Sequence, residues 1–474
     1  MNKFKLFIEN FFVYGIGGII SKIIPLVMVP VVTRLMPDTG YYGISDLSNT
    51  VVSFGSSFAV MGMYDAMYRM FFEENEEDYK RKVCSTALMF TLVTSFVVFV
   101  IMVLSRNLIA QYFFSNKKYA SIVYLSAMAT LTGATNSIIS APTRMQNKRK
   151  VFLVTNTISP LLSYSISVPM LMAGYYIVAL PLAAVISGVT MEITFGILNH
   201  DWFNPKLFDF NMLKQLLVIA VPLLPNFLIY WVFNSCDKVM VTNMTGIAAA
   251  GVYSVSSKLG NCSQLIYTAF AGGWQFFAFS TMKEKNQVKT NSRIFEYLGI
   301  ISFISTAFIC AWSHMIFEIF FTENYLNGYI AAPYLFMAPL LQMLFQVACN
   351  QFLIIKKTWP NMLILSVGAI LNIIINYNLI PVLGIEGASI ATLTGYIVSD
   401  IICVIVLCKM NLMVVSKRFI MSVILIIIFM ILWRFLFTDN IIIGTTSAVV
   451  LTLLLIVMYK KDIVSLFIIR KNKS

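Results

Sequence analysis

The chain has 474 residues, of which 59% are hydrophobic and 12% are charged, about half the charged share of a soluble globular domain. This composition excludes an ordinary soluble enzyme. A membrane-spanning helix needs about 20 mostly apolar residues, so we predict an all-α polytopic membrane protein with about 14 transmembrane helices. The net charge of +13 is then better explained by basic residues that flank the spans and face lipid headgroups than by a nucleic-acid partner.

The predicted spans follow one another along the chain and are separated by charged clusters or by turns with proline and glycine. The first apolar run is kept as a span because it is long and lacks the small-residue cleavage site of a signal peptide. The spans are predicted near residues 10–35, 46–70, 83–104, 119–141, 151–173, 177–198, 214–238, 249–279, 294–320, 333–355, 359–380, 385–408, 419–437 and 441–459.

Basic residues are distributed unequally between alternate loops. If the N-terminus is inside, 26 of the 34 Lys and Arg residues lie on that side, and three more lie within or at the edge of spans. The opposite side holds only Arg34, Arg106, Lys117, Lys118 and Arg434. Because cytoplasmic loops carry the excess of Lys and Arg, we predict that both termini lie in the cytoplasm.

A short internal repeat appears at an offset of 211 residues, or six spans. The four matched pairs are Gly40 and Gly251, Tyr42 and Tyr253, Ile44 and Val255, and Ser45 and Ser256. An even number of spans gives both copies the same orientation, as in transporters with two lobes around an axis along the membrane normal. We therefore predict two pseudo-symmetric six-helix lobes at residues 1–200 and 201–410. Residues 411–474 are predicted to add two helices and a basic cytoplasmic tail.

Several basic residues fall inside the predicted spans. A charge near the bilayer centre costs about 2.5 to 3.5 kcal/mol, so it usually faces a cavity or a partner. Lys22 lies at the middle of span one, between a cluster of glycines and two prolines. A cavity with several cations attracts an anion, and phosphate matches Lys and Arg donors. The candidate anion-binding residues are Lys22, Arg34, Lys238 and Lys258; a lysine that snorkels or pairs with a structural carboxylate is the alternative.

Uncharged amides form stripes on two predicted helices. Gln342, Gln346 and Asn350 are spaced by four residues, as are Asn372 and Asn376, so each set lies on one helix face. Amides offer donors and acceptors, which suits hydroxyl-rich ligands, and the first stripe is a candidate sugar-binding face. Hydrogen bonding between helices is the alternative.

Two embedded carboxylates, Asp237 and Asp400, are candidates for ion coupling. The adjacent charges of Asp237 and Lys238 are equally consistent with a helix end at the membrane interface. The sequence contains no nucleotide-binding glycine motif and no metal-type spacing. We therefore expect no enzyme activity, no cofactor and no metal.

Two related segments carry a family resemblance: FFVYGIGGIISKIIPLVMVPVVTRLMPDTGYYGISDL near the start and SCDKVMVTNMTGIAAAGVYSVSSKL at span seven, together with the basic loop RMQNKRK. With these segments the chain resembles the polysaccharide-biosynthesis flippases, the O-antigen and capsule exporters. Their superfamily also contains the lipid II flippases and the multidrug and toxin extruders. The resemblance covers essentially the whole chain.

The resemblance implies a V-shaped, two-lobed bundle in the bacterial cytoplasmic (inner) membrane. Such a bundle alternates between inward and outward openings and carries an undecaprenyl-diphosphate-linked oligosaccharide to the outer leaflet. The implied partners are the lipid-linked oligosaccharide and membrane lipids, with a polysaccharide polymerase and glycosyltransferases as further candidates.

Other functions remain open at this stage. Fourteen spans, rather than the commoner twelve, resemble the lipid II flippases, and a multidrug exporter is disfavoured by the excess of embedded cations. A non-transporting scaffold of a glycan synthesis complex is the alternative from another class. A scaffold has no need of a lysine at mid-membrane.

Overall fold

A computed structural model describes residues 22–280, 284–355, 357 and 359–471. All regular elements in these ranges are helices, and none of the described residues forms a β-strand. The helices are α1 (residues 22–35), α2 (Thr39–Val60), α3 (Met63–Phe71), α4 (Glu77–Leu104), α5 (Arg106–Phe114), α6 (Ala120–Ile139), α7 (Ala141–Met145), α8 (Arg149–Met172), α9 (Ala179–Leu198), α10 (Phe210–Ala220), α11 (Leu224–Trp231), α12 (Asp237–Thr245), α13 (Ile247–Gly260), α14 (Ser263–Ser280), α15 (Gln287–Phe320), α16 (Ala332–Ile354), α17 (Trp359–Leu383), α18 (Ile385–Lys409), α19 (Lys417–Leu432) and α20 (Ile441–Lys471).

Eleven helical stretches in the described ranges are long and apolar enough to cross a membrane. Together with α1, the pair α2 and α3, and the pair α13 and α14, they cover the positions of the 14 predicted spans. The predicted all-α polytopic fold is therefore confirmed. Residues 10–21 of the first predicted span lie outside the described residues.

The single span predicted at residues 46–70 is two helices. Met61 (φ 48°) and Gly62 (φ 75°) adopt left-handed backbone conformations and separate α2 from α3. A side chain at Gly62 would place its Cβ 2.6 Å from the carbonyl oxygen of Ala220 in α10. Glycine is needed here both for the positive φ and for the close approach of the two main chains.

The described helices divide into two compact units, residues up to 255 with 373–388, and residues 256–372 with those from 389 onward. In the first unit α6 packs against α2, α4 and α9, and α8 packs against α9. Ile44 and Leu47 of α2 and Ile122 and Val123 of α6 are buried in one apolar cluster there. The predicted lobes at residues 1–200 and 201–410 stay a prediction.

The two sequence segments that revealed the repeat pack against each other inside the first unit. Thr39 Oγ1 donates a hydrogen bond of 3.0 Å to the carbonyl oxygen of Ala248. A Cβ on Gly251 would lie 1.9 Å from the carbonyl oxygen of Thr39, and a Cβ on Gly43 would lie 2.6 Å from that of Ile247. The N-terminal ends of α2 and α13 therefore meet through main-chain atoms, and only glycine permits this approach.

The segment between α9 and α10 is attached to the start of α4. Asp209 caps α10 by accepting hydrogen bonds from the main-chain N–H groups of Asn211 and Met212. Lys82 Nζ lies 3.1 Å from the same carboxylate. The main-chain N–H of Met212 and the Lys82 ammonium hold the pKa of Asp209 below its usual value, because both favour the ionised form.

In the second unit α15 packs against α16, α19 and α20. Gly299 of α15 leaves room for the ring of Phe419, since a Cβ there would lie 2.5 Å from Phe419 Cε2. Gly444 of α20 lies against Ala311 of α15 in the same way. The two helices that follow residue 411 are therefore docked along α15.

Candidate functional site

The first candidate site in unit one consists of Asp237 and Lys238, the first two residues of α12. Lys238 Nζ lies 2.6 Å from Asp46 Oδ2 of α2, and the side chains are 12% and 4% exposed. Tyr253 of α13 donates a hydrogen bond of 2.6 Å from its hydroxyl to Asp237 Oδ2. Consecutive residues of α12 thus bind two different helices through buried polar contacts.

Asp237 and Lys238 are consecutive residues of a helix, so their side chains point about 100° apart and can reach different helices. Residues Val232–Cys236, immediately before Asp237, form a π-helical turn. Such a turn inserts one extra residue into the helix and rotates the side chains that follow it, and it is frequent at functional sites. Sequence analysis identified Asp237 and Lys238 but missed Asp46, whose only signal was an acidic residue inside an apolar helix.

The other candidate cations occupy more open positions. Lys22 and Arg34 of α1 are both exposed, and Lys258 of α13 is half-buried. The neighbouring Ser256 is buried and donates a hydrogen bond of 2.8 Å to the carbonyl oxygen of Gly328 within unit two. This bond fixes the turn of α13 that carries Lys258. Anion binding by these cations stays a prediction.

The amide stripe of α16 lies in unit two. Every residue from 331 to 352 is buried except Gln342 and Gln346, which are half-exposed. The hydroxyl of Tyr267 in α14 donates a hydrogen bond of 2.5 Å to Gln346 Oε1. Asn350, the third member of the stripe, is buried. Two of the three predicted amides therefore form a half-exposed amide patch in a stretch that is otherwise buried as far as residue 352.

The second amide stripe is different. Asn372 and Asn376 of α17 are fully buried. Asn372 Nδ2 donates a hydrogen bond of 3.2 Å to Thr392 Oγ1 of α18, in the same unit. Asn372 therefore makes the interhelical bond that was the alternative interpretation of such stripes.

The exposure of α16 leads to a labelling prediction. With the native cysteines replaced, single cysteines at Gln342 and Gln346 should react with a small hydrophilic thiol reagent about tenfold or more faster than a cysteine at Leu344, because thiol reactivity follows access. Leu344 is the matched control, since it lies between the two glutamines and is 2% exposed. Equal protection at all three positions would mean that the glutamines only join helices.

Two carboxylates are embedded in the helices without a basic partner next to them in sequence. Asp400 of α18 is buried, and neither of its carboxylate oxygens has a hydrogen bond within the described residues. Nearby, Cys349 Sγ and Cys403 Sγ lie 3.6 Å apart. In unit one, Thr135 Oγ1 of α6 donates a hydrogen bond of 2.5 Å to Glu192 Oε1 of α9. Ion coupling by Asp400 stays a prediction.

Comparison with known proteins gives a family and a fold. Residues 31–330 match the protein family described as "Polysaccharide biosynthesis protein". A search of the curated proteins finds no match. Among solved structures, "Lipid II flippase MurJ, inward closed conformation" superimposes with a TM-score of 0.73 at 14% identity, over 94% of this chain and 99% of that chain.

Two further solved structures are multidrug resistance MATE family transporters of the MOP superfamily. The inward-facing one has a TM-score of 0.60 at 12% identity, over 83% of this chain and 98% of that chain. The outward-facing one has a TM-score of 0.59 at 14% identity, over 86% and 95%. At such identities the likeness establishes the fold, which is that of the MurJ and MATE transporters.

Proposed function

We propose that this chain, which belongs to the polysaccharide biosynthesis protein family, is a flippase for an undecaprenyl-diphosphate-linked oligosaccharide. It works by alternating access in the bacterial cytoplasmic membrane, with both termini in the cytoplasm. Its family and its transporter fold support a membrane protein that transports a substrate by changing conformation. The lipid tail of such a substrate stays in the bilayer, so the protein has to bind only the diphosphate and the sugars.

The observation that carries this proposal is the amide patch of α16. Gln342 and Gln346 are the only half-exposed residues in a buried stretch of more than 20 residues. Apolar drugs gain little from amides, whereas sugar hydroxyls both donate to and accept from them. Tyr267 fixes Gln346 by a hydrogen bond, so the patch is preorganised for a hydroxylated ligand.

The diphosphate is assigned to the cations. Lys22, Arg34 and Lys258 are exposed or half-buried, and their charge offsets that of a diphosphate. Lys238 is paired with Asp46, so its contribution to substrate binding requires that this pair opens during transport. Asp237 and Asp400 are the proposed ion-coupling carboxylates. A polysaccharide polymerase and glycosyltransferases are the proposed protein partners.

The test is glycan transport by lysine variants in a complementation assay with matched protein levels. Lys22→Gln and Lys258→Gln should each lower transport about tenfold or more, because a charge-assisted contact to phosphate is worth roughly 1.5 to 3 kcal/mol. Lys22→Arg should retain more activity than Lys22→Gln, since the charge is kept. Lys206→Gln, at an exposed loop position, is the matched control.

Wild-type transport by both glutamine variants would make the lysines structural and remove the proposed diphosphate site. Transport of lipid II or export of drugs by the purified, reconstituted protein, with no transport of the oligosaccharide, would replace the proposed substrate. Absence of any transport after reconstitution would favour a scaffold instead.

A further inference from the structure

A polar pocket of about 200 Å³ lies inside unit one, enclosed by α6, α7, α8 and α9. It is separate from the amide patch and from the Asp46–Lys238 pair, neither of which contributes to its lining. The polar lining residues are Asn136 of α6, Ser140 between α6 and α7, Thr143 and Arg144 of α7, and Thr155, Asn156 and Ser159 of α8. Met191 and Phe195 of α9 close one side. Uncharged polar groups also join membrane helices by hydrogen bonds, so the case for a ligand depends on the acceptors that stay unused and on the charge of Arg144.

The walls of this pocket present acceptors. Asn136 Oδ1 is buried and has no hydrogen-bond partner within the described residues. Thr155 Oγ1 donates its proton to the carbonyl oxygen of Val151 at 2.8 Å, and Ser140 Oγ donates to that of Ser137 at 3.4 Å. Thr143 Oγ1 instead accepts a hydrogen bond of 2.9 Å from Asn199 Nδ2. Asn136 Oδ1 and the Thr155 and Ser140 hydroxyl oxygens therefore keep acceptor capacity, which a ligand with hydroxyl donors would satisfy.

Arg144 supplies a positive charge where the pocket meets the surface. Its side chain is exposed and lines the pocket. The guanidinium donates one hydrogen bond of 3.2 Å to the hydroxyl of Tyr64 and lies 5.2 Å from the ring centre of Phe152, which also lines the pocket. These two contacts hold the guanidinium in place, and a guanidinium has five N–H donors. The remaining donors suit a phosphate, which arginine binds in a bidentate manner.

The size of the pocket limits the ligand. A volume of 200 Å³ is the space of about six or seven water molecules, which one hexose ring fills and a disaccharide exceeds. By the charge pattern, Arg144 belongs to a cytoplasmic loop with Lys148, Arg149 and Lys150. The pocket therefore lies at the leaflet from which a flippase takes its substrate.

We propose that this pocket binds a glycosyl phosphate, with one sugar ring against Asn136 and Asn156 and the phosphate on Arg144. Binding of a glycosyl phosphate by the pocket does not depend on the proposed function. The role of the pocket, to hold the first sugar phosphate of the lipid-linked substrate before translocation, rests on the proposed flippase function.

The test is calorimetric titration of the purified full chain in nanodiscs of phosphatidylcholine with glucose 1-phosphate, glucose, glycerol 3-phosphate and inorganic phosphate. Glucose 1-phosphate should bind at least about tenfold more tightly than each of the other three. Only this ligand has both a sugar ring to contact Asn136 and Asn156 and a phosphate to contact Arg144. A second set of nanodiscs with phosphatidylglycerol separates the two sources of a polyol phosphate. Competition by that lipid at the affinity of glucose 1-phosphate would assign the pocket to phospholipid headgroups and overturn the proposal.

Three variants connect the binding to the pocket. Arg144→Gln and Asn136→Leu should each weaken glucose 1-phosphate binding about tenfold or more, and Asn156→Leu on the α8 wall should do the same if Asn136→Leu fails to fold. Lys150→Gln, which removes one exposed charge at the same end of α8, should leave binding within about twofold. Unchanged affinity in Arg144→Gln and in a folded amide variant would overturn the proposal.

Different results would contradict the pocket proposal and the proposed flippase function. Loss of binding without loss of glycan transport would remove the loading role and leave the flippase proposal intact. Loss of transport in the Lys22 and Lys258 variants with unchanged glucose 1-phosphate affinity would support both proposals, since neither lysine lines the pocket.

Discussion

Asp46→Asn is expected to destabilise the protein strongly and to abolish transport. Lys238 Nζ lies 2.6 Å from Asp46 Oδ2, with side-chain exposures of 12% and 4%. Removal of one member of a buried ion pair leaves the other charge without compensation and typically costs about 3 to 5 kcal/mol. The measurements are the melting temperature of the detergent-solubilised protein and glycan transport at matched protein levels. Lys238→Met should produce a loss of similar size.

The control for this prediction is an exposed pair of the same kind. Arg81 and Glu77 of α4 lie 2.9 Å apart, with side-chain exposures of 38% and 66%. Glu77→Gln should cost at most about 1 kcal/mol, because exposed pairs gain little in water. Asp46→Asn together with Lys238→Met should be more stable than either single variant, since no buried charge is then left unpaired. Equal melting temperatures for Asp46→Asn, Glu77→Gln and wild type would contradict the structural role of the pair.

Most of the fold could be predicted because hydropathy and helical periodicity are local signals. Long apolar runs placed both ends of α6 and the C-terminal ends of α4 and α15 to within two residues, whereas α4 and α15 begin six and seven residues before the predicted spans. The break at Met61 and Gly62 was missed because both flanking segments are apolar and the cause is a main-chain contact with Ala220. That residue lies more than 150 positions further along the chain, so no local pattern contains it.

The candidate site was predictable to the extent that it depends on one helix. A spacing of four residues placed Gln342 and Gln346 on one face, and these are the two half-exposed positions between residues 331 and 352. The partner of Lys238 was not predictable, since Asp46 lies 192 positions away and Asp237 was the obvious neighbour in sequence. The pocket at Asn136 was missed for the same reason. Its walls come from four helices, and Arg144 was counted only as a loop charge.

Glu296→Ala is expected to release the two C-terminal helices from α15. Glu296 is 5% exposed. Its carboxylate accepts hydrogen bonds from Ser416 N and Ser416 Oγ, both at 2.8 Å, and from the hydroxyl of Tyr459 at 3.3 Å. These bonds attach the residue before α19 and the middle of α20 to one point on α15. Since a hydrogen bond to a charged group contributes about 1.5 to 3 kcal/mol, the variant should lose roughly 3 kcal/mol or more.

The two predicted consequences are separable by measurement. Protease cleavage between residues 410 and 416 should become much faster in Glu296→Ala in detergent, because local opening exposes that segment, and the melting temperature should fall. Glu296→Gln keeps one acceptor oxygen and should lie between the alanine variant and wild type. Glu318→Ala, on the same helix with a side chain 60% exposed, is the matched control and should be cleaved at the wild-type rate. If Glu296→Ala and Glu318→Ala are cleaved equally slowly, the docking of α19 and α20 depends instead on apolar contacts such as Phe419 against Gly299, and Gly299→Leu should then release them.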